Sequence, residues 1–181
     1  MNLLPIKYKQ PTDSSDARCA LYALANLFDD HGFLFFTNVG ESTGHNREVE
    51  ILIKYSQIAP VFERIKVRTI YPHAITPPEI QIHYCEDFNI CTEAGKYIPV
   101  LVDIASNEAN VYHTVLVLWG DVDCIVIDSK KDFPEPMGHT TLFERAKVHG
   151  FRILTGSEPD KHGDISMVLL SPSDLPHIFG K

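Results

Sequence analysis

No stretch of this chain stays apolar for the length that crosses a bilayer, so membrane insertion is not expected. A basic run is missing too: Lys and Arg number 16 against 24 Asp and Glu, for a formal net charge of −8, and the acidic residues are spread along the chain. That balance excludes the electrostatic footprint of a nucleic-acid binder. The segment Met1-Asn2-Leu3-Leu4-Pro5-Ile6-Lys7 has neither the continuous apolar region nor the cleavage site of a secretory signal. The expectation is a mature chain that starts near Met1 in a reducing cytoplasm. Cysteine is sparse: Cys19, Cys85, Cys91 and Cys124 could form two disulfides on count alone, but without an export signal all four are expected as free thiols. His83, Cys85 and Cys91 lie close together but without the ligand spacing of a structural zinc site, and neither a metal nor a cofactor is expected. Internal repeats, low-complexity tracts and linkers are also absent. A length of 181 residues buries one core well and two poorly, which predicts a single domain over 1–181. The pattern carries no signature of a particular oligomeric state.

What is present begins at Cys19. It stands where the polar stretch Gln10–Arg18 turns into the apolar run Cys19-Ala20-Leu21-Tyr22-Ala23-Leu24-Ala25-Asn26-Leu27-Phe28. With Asp16 or a nearby serine as N-cap, this run predicts a helix whose Leu21, Leu24 or Ala25, and Phe28 share a stripe. Gly32 is expected to close it, and Phe33–Phe36 to follow as a short strand or buried linker. A sulfur in the first turn of a helix faces unpaired N–H groups and the positive end of the helix dipole, both of which favour thiolate over thiol. Gly40–Asn46 reads as a loop, Arg47 to about Ala59 as a second helix, Val67–Ile70 as a strand, and the segment from Thr76 carrying Ile80, Ile82, Tyr84 and Phe88 as a third helix. The first half is therefore expected to be mainly helical.

The second half changes character. Ile98–Ile104, Tyr112–Trp119, Cys124–Asp128, Phe151–Leu154 and Ile165–Leu170 read as strands between turn residues, which predicts a sheet. Lys130–His139 reads as a loop, and Leu142–His149 as a short amphipathic helix. Gly120–Asp123 joins two of the strands as a hairpin. Alternation in this hairpin puts His113 on the face of Val115 and Val117, with Thr114, Leu116 and Leu118 opposite, and brings Asp128 level with His113. A carboxylate there holds the imidazole through one ring nitrogen and leaves the other for a sulfur. Gln10, upstream of Cys19, can offer a side-chain N–H to an oxyanion beside the backbone N–H of Cys19. Cys124 shares the face of Asp128 and reads as packing. His45, His139, His149 and His162 read as solvated, with His139, in the loop after Asp128, also placed to line a substrate cleft.

Gln10, then Cys19 opening an Ala- and Leu-rich helix with Asn26, then His113-Thr114-Val115-Leu116-Val117 and Val126-Ile127-Asp128-Ser129 in consecutive strands, resembles the papain-like cysteine peptidases. Within them it is most similar to the bacteriocin-processing, double-glycine-leader group, over about residues 10–130. Arg18 and Ala20 stand where that group has an acidic residue and a glycine, and Gln10 lies further from Cys19 than is usual there. The resemblance implies an α+β, papain-like fold: a helical part over about 10–95 whose nucleophile helix packs against an antiparallel sheet over about 96–175. It implies Cys19 as nucleophile, His113 as general base and acid, Asp128 as the orienting carboxylate and Gln10 as oxyanion donor. The expected activity is thiol-dependent hydrolysis of a peptide or isopeptide bond in a peptide or protein substrate. The alternatives are a catalytically silent papain-like domain that binds a peptide or protein in the same cleft, and a Cys-His-Asp acyltransferase or deamidase.

Overall fold

The computed structural model describes residues 2–12, 18–37, 63–68, 73–74, 81–85, 92–105, 112–146, 150–155, 161 and 164–181. The loop expected at Gly40–Asn46 and the helix expected over 47–59 lie outside them. Helix α1 runs Cys19–Phe28 and is followed by a 3-10 helix, His31–Thr37. Strands β1 (Glu63–Arg68), β2 (His73–Ala74), β3 (Gln81–Cys85), β4 (Ile98–Ala105), β5 (Tyr112–Trp119), β6 (Cys124–Ile127) and β7 (Glu135–Met137) come next. Helix α2 (His139–Ala146), β8 (Gly150–Thr155), β9 (Asp164–Leu169) and a short 3-10 turn at Pro172–Asp174 complete the described chain. The architecture is mixed α+β. Seven strands form one antiparallel sheet in the order β2-β3-β8-β4-β5-β6-β7, and β1 pairs with β9 in a two-stranded ribbon.

Several expectations are corrected. The third helix is instead β3, paired with β8 from Gln81↔Thr155 to Cys85↔Phe151. The run Gln81-Ile82-His83-Tyr84-Cys85 is too short to separate a helical from an alternating period, and the edge of β8 decides between them. With β1 and β2 also extended, the stretch 10–95 is not a helical half; strands occupy its later part. α1 is closed by Asp29, in the left-handed region at φ 51°, with its N–H donating to Ala25 O, whereas Gly32 belongs to the 3-10 helix that takes the place of the expected strand or linker at 33–36. The cap position of α1 falls on Arg18, not on Asp16 or a serine, and carries no side-chain cap. Lys130–His139 contains the edge strand β7, where Pro136 is tolerated because an edge needs fewer ladder donors.

The central sheet buries both faces. Leu101, Leu116, Leu118, Ile125 and Ile127 pack against Leu21, Leu24 and Leu27 of α1 and against Ile178 and Phe179 near the C-terminus. On the other face Ile98, Val100 and Val102 of β4 meet Val115, Val117 and Trp119 of β5, with Cys124 and Leu142. A leucine fully removed from water contributes about 1.5–3 kcal/mol, so the three α1 leucines dominate the docking of that helix. One polar side chain breaks the apolar stripe. Asn26 is buried; its Oδ1 accepts from Tyr8 N–H (3.0 Å), and its Nδ2 donates to Tyr8 O (2.8 Å) and Tyr22 O (2.9 Å). It thereby fastens the N-terminal segment to the helix that carries Cys19. The same segment donates from Ile6 N–H to Asp132 O (2.8 Å) and from Gln10 N–H to Ser129 O (2.9 Å). Replacing Asn26 by alanine strands both Tyr8 backbone groups, and Asn26→Ala is expected to lower stability by about 2–4 kcal/mol, read as a lower urea midpoint at unchanged slope.

Candidate active site

The sequence placed three chemically distinct side chains on separate elements, and the fold brings them together at the open edge of β5. The pairing of β5 with β6 runs only from Trp119↔Cys124 to Leu116↔Ile127. Gly120 N–H donates to Asp123 O at 2.9 Å, and alternation from that bond directs the N–H groups of the even-numbered β5 residues toward β6. The next bond in the series would join Thr114 to Ser129. It is not made, because the chain leaves the ladder at Asp128 and Ser129 O accepts instead from Gln10 N–H. The Thr114 N–H, released from that partner, hydrogen-bonds the sulfur of Cys19.

His113 reaches the same point from the other face of the strand. Its Nε2 lies 2.7 Å from Asp128 Oδ1, which leaves Nδ1 as the ring nitrogen for the Cys19 sulfur, with which the imidazole is hydrogen-bonded. The register corrects one detail of the hairpin expectation. Extending the ladder sets Asp128 across from Val115, one pleat repeat from His113, so the carboxylate reaches the ring diagonally along a shared face. Asp128 Oδ1 also accepts from Lys130 N–H at 3.0 Å, which fixes its orientation.

The electrostatics follow from these contacts. Burial pushes the Cys19 thiol up, but hydrogen bonds from His113 and from the Thr114 backbone N–H outweigh it and bring the pKa down to about 7, while the Thr114 hydroxyl donates to Asp103 Oδ1 at 2.7 Å. Burial alone would lower His113; its bonds to Asp128 and Cys19 prevail and raise it to about 9. For Asp128, too, burial acts against the charged form, and the bonds from His113 and Lys130 N–H override it and hold the carboxyl below its ordinary value. Between about pH 7 and 9 the resting pair is therefore thiolate and imidazolium. The signs for stability agree with this window. Cys19 stabilises the fold fully above its ordinary 9.0 and loses that contribution as pH falls through 7, while His113 contributes below 6.5 and loses it as pH rises through 9.

The first turn of α1 faces this site without a side-chain cap. The Arg18 guanidinium lies over the Tyr22 ring, 5.4 Å from the centroid, and contacts Tyr22 Oη and Leu34 O. Gln10, the fourth site residue expected from sequence, is buried beside Ser129, whose hydroxyl donates to its Oε1 at 3.1 Å. Gln10 is thus joined to the residue that follows Asp128, while Cys19, His113 and Asp128 meet directly. Sequence reasoning missed Thr114, assigned only to the opposite face, and Ser129. The signal for Thr114 was the lack of a continued alternating partner after Ile127, which is visible only once the ladder is known.

The remaining candidates separate from the site. Cys124 is fully buried, its Sγ–H directed at Met137 O (3.4 Å), and burial pushes its pKa up to about 12. His139 does not line a cleft beside the triad; it opens α2, stacks on Trp119 with centroids 4.1 Å apart, and has Nε2 3.1 Å from Asp123 O. His45, His149, His162, Cys91 and the side chains of His83 and Cys85 lie outside the described residues. No group of three metal-ligating side chains occurs among the described residues, and no described helix is long and apolar enough to cross a membrane. Comparison with protein-family models, curated proteins and solved structures finds no match.

Iodoacetamide labelling of Cys19, mapped by mass spectrometry across pH 5–10, is expected to reach half its plateau rate near pH 7. His113→Ala should move that midpoint upward, and Cys124 should stay unlabelled until the protein is unfolded. Equal, slow labelling of every thiol would refute the ion pair.

Proposed function

We propose that this chain is a papain-like cysteine hydrolase that cleaves a peptide or isopeptide bond through a thioester. The observation that carries the proposal is the imidazole of His113 held between the Asp128 carboxylate and the Cys19 sulfur. Such a ring can take a proton from the thiol, stay charged beside the thiolate, and return the proton to a leaving amine.

The steps follow from the atoms. The Cys19 thiolate attacks the substrate carbonyl carbon, and the carbonyl π electrons move onto oxygen. That oxyanion is received by the backbone N–H of Cys19, at the uncapped start of α1, and by Nε2 of Gln10. Imidazolium Nδ1–H protonates the leaving nitrogen as the C–N bond breaks, leaving a thioester on Cys19 and a neutral ring. Water then adds to the thioester, with His113 Nδ1 accepting its proton. Collapse expels the thiolate and restores the ion pair. Asp128 does not exchange a proton in this cycle; it keeps Nε2–H directed at itself and steadies the charged ring. The likeness to the double-glycine-leader group extends the proposal to cleavage after a short leader, with the cytoplasm as the compartment.

Fluorogenic peptide hydrolysis should disappear in Cys19→Ala and follow a bell over pH whose limbs lie near 7 and 9. Gln10→Ala should lower kcat by roughly 10²–10³, the effect of one lost oxyanion donor, while Cys19 labelling by iodoacetamide keeps its rate. Turnover that survives Cys19→Ala would refute the mechanism.

A further inference from the structure

A cavity of about 290 Å³ opens beside Asp128. Its floor is the outer face of the central sheet, with Val115 of β5, Val126 of β6 and Leu142 of α2. Phe133 stands at its edge with 58% of its surface exposed, an unusual outlay of aromatic surface on a side chain that already lines an apolar wall. The volume is roughly twice that of the ~150 Å³ cavity known to admit benzene, and falls just under the range of sites for whole drug-sized ligands. One large side chain fits it.

Its walls also set the charge of the occupant. Asp128 Oδ1 already receives His113 Nε2 at 2.7 Å and Lys130 N–H at 3.0 Å. An ammonium or guanidinium entering the cavity would compete with the imidazole for that carboxylate, and Lys131 on the wall would repel it. A carboxylate would find one partner in Lys131 but meet two like charges, Asp128 and Glu135. An uncharged apolar group meets neither obstacle. It also expels water from beside Asp128, where a lower local dielectric strengthens the carboxylate–imidazolium attraction.

We infer that this cavity is a specificity subsite for a leucine-, methionine- or phenylalanine-sized side chain of the substrate, with Val126 and Phe133 as its selecting residues. This rests on the reading of Cys19 as nucleophile, and its wall includes the carboxylate that orients the general base. Filling the subsite is coupled to catalysis through Asp128.

The test uses internally quenched peptides of one length in which Leu, Phe, Lys, Glu or Gly occupies each position in turn on both sides of the scissile bond. Iodoacetamide labelling of Cys19 serves as the control that needs no subsite. At one position Leu and Phe should raise kcat/KM on the order of ten- to a hundredfold over Gly, Lys and Glu, the discrimination that a few methylenes give in an apolar pocket. Val126→Phe, which fills the cavity, should remove that preference while Cys19 remains the thiol that iodoacetamide labels first. Phe133→Ala, at an exposed position that folding tolerates, should weaken the preference several-fold. Rapid labelling and cleavage with no apolar preference, or with one that survives both substitutions, overturns the subsite alone. Slow labelling of Cys19, or no cleavage of any peptide, overturns the subsite together with the hydrolase reading.

Discussion

The site depends on where one β ladder stops. Had β5 and β6 paired for one more hydrogen-bonded step, Thr114 N–H would be spent on Ser129 O and the edge that receives Cys19 would be closed. Instead the ladder ends at Leu116↔Ile127 and the N-terminal segment supplies Gln10 N–H to Ser129 O. Ser129 O finds its partner in Gln10 N–H, and the exchange leaves the Thr114 N–H directed at sulfur. A gap in a sheet normally exposes an unsatisfied edge. Here the gap is occupied by a thiol whose ionisation the exposed donor promotes.

The apolar faces hold the two sides of this edge in place. Leu21, Leu24 and Leu27 seat α1 on one face of the sheet, so the first turn of the helix arrives at Thr114. Val115 and Val117 anchor the opposite face, from which His113 and Asp128 project at the rim of the same strands. The triad is therefore assembled from both faces of a single sheet and meets at its margin. Substitutions deep in either core act on its geometry through the angle of α1 or the twist of the hairpin, not through any direct contact.

Much of this was legible in the chain. The strands from Ile98 to Leu169 are signalled by β-branched runs between turns, and the hairpin at Gly120–Asp123 follows from its turn residues. The pairing of His113 with Asp128 needs only alternation and a short loop, although the diagonal offset depends on a register that the turn alone does not settle. Gln81–Cys85 was misread because five residues satisfy either period, and its partner β8 lies about 70 residues further on. The end of α1 was misread because Asp29 adopts the left-handed conformation that glycine more commonly supplies. Thr114 and Ser129 were hidden for a different reason: the Thr114 N–H and the Ser129 carbonyl are backbone groups, which every residue carries, and only the tertiary path shows which ones are redirected.

The separation of the site along the chain has a consequence for synthesis. His113 follows Cys19 by 94 residues, and the Ser129 that fixes Gln10 lies 119 residues beyond it. At a translation rate of roughly 5–20 residues per second, the α1 segment is made several seconds or more before the hairpin emerges. Throughout that interval Cys19 has no imidazole beside it and behaves as an ordinary, mostly protonated thiol. The nascent chain thus carries an ordinary thiol, and its lowered pKa appears only as the strands that bear His113 and Asp128 close around it.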